Sequence, residues 1–273
     1  MNEKISLAGD LGSGKSTVSK ILIPRLGAEY YSTGAIVRAI AEERGMTVVE
    51  LNRYMEDHPE IDHEIDEGVA RLAELPKPLI IDSRMAWHFT KGTFKVYLST
   101  DIETSALRIM GANRKGEHSA SLEATVADTK ARRESEIKRY SEQYGVNIKD
   151  LSNYDLIVDT SFASPEEIAE RIISSFEEWR ADKSYKRVFI SPERLYYPDD
   201  EADAEKIAEY SSLLEEGRVS DEILVAERDG DFYLADGAEL ALAYAFNMAT
   251  FIPAKLTRRD FDKKDFVRMK NSI

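Results

Sequence analysis

Apolar residues along the chain fall in short runs, each closed by polar residues or glycine and followed by a stretch whose apolar positions recur at helical spacing. Lys4-Ile5-Ser6-Leu7-Ala8 suits a buried first strand, and residues 17–23 suit a helix closed by Pro24. A second strand over residues 28–31 ends at Ser32-Thr33-Gly34, after which Ile36, Val37, Ile40 and Ala41 share one helix face while Arg38 points elsewhere. Thr47 and Glu50 form a capping-box pattern, and Pro59 opens a helix running to Leu75; these helices suit a substrate flap. Leu79-Ile80-Ile81, residues 93–98 and Leu156-Ile157-Val158 read as further strands, with helices ending near Gly111, spanning residues 122–144 and starting at Ser164-Pro165. Strand and helix alternate to Trp179, which predicts an α/β fold with a parallel sheet wrapped by helices.

After a short polar linker over residues 181–186 the pattern changes. Arg187-Val188-Phe189-Ile190 reads as a strand, residues 202–214 as a helix, and Ile223-Leu224-Val225-Ala226 as another strand. Asp229-Gly230 is a hairpin turn into Phe232-Tyr233-Leu234. Asp236-Gly237 then opens a helix through Phe246, residues 251–256 make a final strand, and a charged tail helix closes the chain. Two domains are therefore expected, residues 1–183 and a second, smaller α/β unit over residues 184–273.

Composition narrows the partners. The net charge of −14 argues against a nucleic acid held by its backbone, which needs clustered Lys and Arg. No cysteine is present, so a disulfide framework, a thiolate metal site and a cysteine nucleophile are excluded. No apolar run approaches membrane-spanning length and no signal-like region opens the chain, so a cytoplasmic location without membrane contact is expected.

The chemistry is carried first by the turn after the first strand. Gly9, Gly12, Ser13, Gly14, Lys15, Ser16 and Thr17 satisfy the pattern Gly, four residues, Gly-Lys-Ser/Thr. Glycines let backbone N–H groups curl around phosphate oxygens, and the helix start adds its positive dipole. Lys15 then reaches the β- and γ-phosphates of a nucleotide, and the Ser16 hydroxyl ligates Mg²⁺. Asp82 ends a buried strand, where open α/β sheets gather ligand groups. It either orders the Mg²⁺ through water, with Arg84 holding a substrate phosphate, or caps the next helix with Arg84 as its ion partner. Arg132 and Arg139 lie two turns apart on one helix face, positioned to meet one anion. Arg114 in the preceding loop, with Arg133 and Lys138, adds positive charge that stabilises a transferred phosphoryl group, whereas Glu134 and Glu136 among them also fit a solvated helix laced with ion pairs. Trp87 and Trp179 read as packing residues, and none of His58, His63, His88 and His118 is assigned to catalysis.

These residues resemble the cytidylate kinase-like branch of the nucleoside monophosphate kinases, a group of P-loop NTPase folds, and especially its short archaeal-type members. The matching stretches are Gly-Ser-Gly-Lys-Ser-Thr at 12–17, Ser32-Thr33-Gly34 with Arg38, Glu43-Arg44-Gly45-Met46 and His58-Pro59-Glu60-Ile61-Asp62. They continue with Ile81-Asp82-Ser83-Arg84, residues 132–140 and residues 154–161. The resemblance, covering residues 1 to about 180, implies transfer of the ATP γ-phosphate to a pyrimidine monophosphate with Mg²⁺. It implies that the phosphate loop, with Arg114, holds ATP and that Ser32, Thr33, Gly34, Arg38, Asp82 and Arg84 form the monophosphate side. Arg132 and Arg139 are then the arginines that close over the reaction. Ser83 stands where glycine is usual, and Met85-Ala86-Trp87-His88-Phe89 replaces a small-residue tract, departures that fall in the acceptor pocket by this resemblance. A nucleotide-binding regulator, or a kinase for another small acceptor, is the competing reading.

Residues 186–257 resemble the ParB/sulfiredoxin-like fold. The cation usual after the second hairpin strand is missing from Asp236-Gly237-Ala238-Glu239-Leu240, so Asp236 and Glu239 read as turn and helix-start residues and the unit as a docking or ligand-sensing module.

Overall fold

The computed structural model describes residues 3–112, 121–198, 202–258, 262–263 and 266–268. Its first half alternates as the pattern predicts: β1 (Lys4–Gly9), α1 (Lys15–Leu26), β2 (Glu29–Ser32), α2 (Thr33–Arg44), α3 (Val48–Tyr54), α4 (Pro59–Arg71), β3 (Leu79–Asp82), α5 (Ala86–Phe89), β4 (Phe94–Ser99), α6 (Ile102–Gly111), α7 (Leu122–Tyr144), β5 (Leu156–Asp159) and α8 (Pro165–Ala181). The five strands lie in the order β2-β3-β1-β4-β5, all parallel. Ile5, Leu7, Ile80, Val96, Leu98 and Val158 bury one sheet face against α1 and α8, whose Val18, Leu22, Ile168 and Ile172 share the same core. Capping boxes start α3 at Thr47 and Glu50 and α8 at Ser164 and Glu167, as their sequences require. Pro24 lies inside α1 rather than closing it. The helix runs on to Leu26 and ends at Gly27, whose φ of 59° is left-handed.

The second half continues the same sheet. It comprises β6 (Arg187–Ile190), β7 (Leu195–Pro198), α9 (Ala204–Glu215), β8 (Ile223–Arg228), β9 (Asp231–Asp236), α10 (Ala238–Phe246), β10 (Ile252–Leu256) and β11 (Phe266–Arg268). β6 pairs in parallel with β5, Ile157 opposite Val188, and antiparallel with β10 on its other side. The resulting sheet of described strands runs β11-β7-β9-β8-β10-β6-β5-β4-β1-β3-β2 and crosses residue 183 without a break. The polar stretch before β6 is a tight turn: Asp182 accepts the Ser184 amide at 2.9 Å, and buried Tyr185 donates its hydroxyl to Ser175 at 2.8 Å. One core cluster joins Tyr97, Tyr154 and Ile157 to Ile190, Leu195, Val225, Phe232 and Leu240. Asp229 and Gly230, with φ of 56° and 93°, make the β8–β9 turn. The expected tail helix is corrected at residues 266–268, which form a strand on the edge of β7, Phe266 lying edge-on to Tyr233 at 5.5 Å, while most of the tail after residue 258 lies outside the described residues. An edge ladder and an aromatic contact, neither visible in local charge, decide that segment.

Candidate active site

Parallel strands bring their carboxyl ends to one rim, and there β1 runs into the phosphate loop. Gly9 and Gly12 are fixed by close approach: a Cβ would stand 2.4 Å from the Leu98 carbonyl oxygen at the first and 2.6 Å from that of Ser105 at the second. Gly14, at φ 81°, caps α1. Lys15 Nζ donates to the Asp10 carbonyl at 2.9 Å and the Gly9 carbonyl at 3.2 Å. Burial and the nearby Arg84 charge push its pKa down to about 7, against Asp82, Asp10 and Glu136, which pull it up.

Gly12, Ser13, Gly14, Lys15 and Ser16 form one wall of a cleft. Ser32, Thr33, Gly34 and Arg38, where β2 passes into α2, form the opposite wall, and a Cβ on Gly34 would stand 3.5 Å from Arg38 Nη1. Asp82 and Arg84 follow β3 into the same cleft, and Arg132 and Arg139 enter it from α7. The sequence-predicted residues thus converge, with three exceptions. Gly9 and Thr17 lie off the cleft, Thr17 exposed on α1, and Arg114 lies outside the described residues.

The arginines are held by acids. Arg84 Nε donates to Glu136 at 2.8 Å and Arg132 Nε to its other oxygen at 3.2 Å. Burial of Glu136 raises its pKa, but the arginines outweigh that and bring it down to about 2. Arg139, 2% exposed, donates to Asp62 at 3.0 Å and to the Asn52 side chain at 2.9 Å, tying α7 to α3 and α4. Asp82 accepts the Tyr30 hydroxyl at 2.8 Å, and α5 is capped at Met85, so Asp82 does not cap that helix, although its charge still acts on Arg84. Arg133 turns the other way, onto Asp10, which also accepts the Tyr97 hydroxyl at 2.6 Å, and Lys138 pairs with Glu56 at 2.6 Å.

Asn52, Asp62 and Glu136 also line the cleft and hold its arginines, and the sequence alone does not single them out. Glu136 stands four residues after Arg132, an ion-pair spacing, and Asp62 closes a quoted motif, whereas nothing local marks Asn52. The expected change in the acceptor pocket is also relocated: Ser83 lines the cleft, but Met85, Ala86 and Trp87 are buried in cores away from it.

A model of the cytidylate kinase-like family matches residues 4–162. The chain belongs to this family. A cytidylate kinase of Thermoplasma volcanium is 35% identical over 186 residues, 67% of this chain and 95% of that protein. One of Sulfurisphaera tokodaii is 37% identical over 170 residues, 62% and 92% respectively. An S-adenosylmethionine-dependent nucleotide dehydratase of Lacinutrix mariniflava is 36% identical over 185 residues, 66% of this chain and 37% of that longer protein. As a cytidylate kinase-like protein, the chain is a phosphotransferase of the nucleoside monophosphate kinase kind, with ATP as phosphate donor. No helix among its described residues is long and apolar enough to cross a membrane.

Proposed function

We propose that the protein transfers the γ-phosphate of ATP to CMP or dCMP in the cytoplasm. The observation that carries this reading is the single cleft with the phosphate loop on one wall and Arg38, Arg84, Arg132 and Arg139 on the others. Four guanidinium groups and Lys15 suit two nucleotides placed phosphate to phosphate. An anionic oxygen of the monophosphate attacks the γ-phosphorus, that P–O bond forms, and the bond to ADP breaks. The attacking oxygen needs no protein base. Lys15 and the loop amides hold the donor phosphates, Arg38 and Arg84 the acceptor phosphate, and Arg132 and Arg139 spread the charge of the transferred group. Ser16 and Asp82 supply oxygen donors to the same cleft, a set that fits Mg²⁺, a hard cation that keeps several waters. Bound there, Mg²⁺ would neutralise phosphate charge. A boundary at residue 183 in family terms, and a docking or ligand-sensing role for a ParB/sulfiredoxin-like unit over residues 184–273 that continues the same sheet, are part of the same proposal.

The test is ADP formation by the full chain with Mg²⁺ and ATP against CMP, dCMP, UMP, AMP, GMP and no acceptor. Dependence on CMP or dCMP supports the reading. ATP binding with no turnover of any monophosphate sinks it and leaves the regulator or another acceptor.

A further inference from the structure

Arg194 ends a 3₁₀ turn (Pro192–Arg194) between β6 and β7, beyond the residues matched by the family model, and is 1% exposed. Its Nη1 donates to Asp159 Oδ1 at 3.1 Å and to Ser161 Oγ at 2.8 Å, and its Nη2 donates to the Gly230 carbonyl in the β8–β9 turn at 2.6 Å. The other oxygen of Asp159 accepts the Ser191 amide at 3.2 Å. A buried ion pair must recover its lost hydration through such bonds, and here they converge on the carboxyl end of β5.

From that point a continuous path leads to the phosphate loop. Ser161 Oγ accepts the Asp101 amide at 3.0 Å, and Asp101 caps α6. Arg108 of α6 donates back to the Thr160 carbonyl at 2.6 Å and to the Thr160 hydroxyl at 3.2 Å. Ser105, on the first turn of α6, donates to the Leu11 carbonyl, and its backbone is the surface against which Gly12 leaves no room for a Cβ. Each link is a directional bond between buried or half-buried groups, and together they join the end of β5 to the loop. The acceptor side lies elsewhere: β4 and β5 flank β1 on one side, while β3 and β2, which lead to Arg84 and Arg38, lie on the other.

We propose that Arg194 is a positioning residue for ATP, through which residues 184–273 complete the donor half of the site. It holds residues 159–161 and the start of α6, and these hold the phosphate loop. The proposal rests on the assignment of that loop to ATP.

The test compares full-length wild type, Ser161→Ala, Arg194→Lys and Arg194→Met at a temperature where circular dichroism shows each folded. Calorimetric titration with ATP and Mg²⁺ gives donor affinity directly, and steady-state rates give KM for ATP and for the monophosphate. Ser161→Ala is expected to weaken ATP binding about three- to tenfold, the worth of a buried hydrogen bond. Arg194→Met is expected to weaken it by about tenfold or more, with Arg194→Lys between, because an ammonium cannot reproduce the fork. The KM for the monophosphate stays within about twofold. Unchanged ATP affinity in folded Arg194→Lys or Arg194→Met, or equal rises in both KM values, overturns the proposal; where Arg194→Met does not fold, Arg194→Lys decides it, and Ser161→Ala tests the relay from that point to α6. Absence of ATP binding by the wild type would instead remove the donor assignment, and the proposal with it.

Discussion

Lys15 is a residue whose charge its surroundings hold in balance. Its ammonium donates to the loop carbonyls of Gly9 and Asp10, and burial beside Arg84 brings its pKa to about 7. Donor phosphates restore the charge, so above pH 7 binding takes up a proton and weakens as pH rises, by up to about tenfold per pH unit. Between pH 7 and 9 the ATP dissociation constant should climb, and calorimetry in buffers of different ionisation enthalpy should show proton uptake; a flat profile without uptake would contradict this. Asp66 on α4 is the opposite case. Burial and the neighbouring Asp62 push its carboxyl up to about 7. The unfolded chain ionises it at the ordinary value of 3.8, so the native state loses stability as pH rises from about 4 to 7 and does not regain it above. Asp66→Asn should therefore stabilise the protein at pH 8 by on the order of 2 kcal/mol and much less at pH 4. Urea unfolding at both values checks it.

At the scale of elements, α7 does most to assemble the cleft. One helix presents Arg132, Glu136 and Arg139 to it and turns Arg133 onto Asp10. Glu136 pairs with two guanidinium groups at once, one through each oxygen. Glu136→Gln would leave both against a neutral amide, and unfolding experiments should show a loss of about 3 kcal/mol. The bounds of α7, the caps of α3 and α8 and the shared face of Arg132 and Arg139 were legible in the sequence, because each depends on residues within a few turns of one another. The phosphate loop was legible for the same reason. The pairing of Arg139 with Asp62 was not: the partners stand 77 positions apart, and only the packing of α4 on α7 brings them together. Tyr30 on Asp82, 52 positions away, was hidden likewise. Residues 266–268 read locally as helix because their strand exists only by pairing with β7, which the apolar pattern does not mark.

For the whole molecule, the decisive feature is the sheet that passes through β5 and β6. Tyr97 and Tyr154 from the family-matched half share a core with Leu195, Phe232 and Leu240 from the rest. Neither half can lose its packing without exposing the other, so calorimetric unfolding should give a single transition whose van't Hoff and measured enthalpies agree. Two resolved transitions would show that the halves melt independently.

The β5–β6 ladder also makes this edge a place for growth. Peptide groups are the same in every sequence, so a strand edge accepts a newcomer without regard to its side chains. A kinase of this family can thus gain chain beside β5 while the strands that carry its phosphate loop stay untouched. The ladder admits a newcomer; a side chain such as Arg194, reaching back to Asp159, ties it to the end of β5. In lineages that share the added segment, the arginine and the aspartate should be gained and lost together.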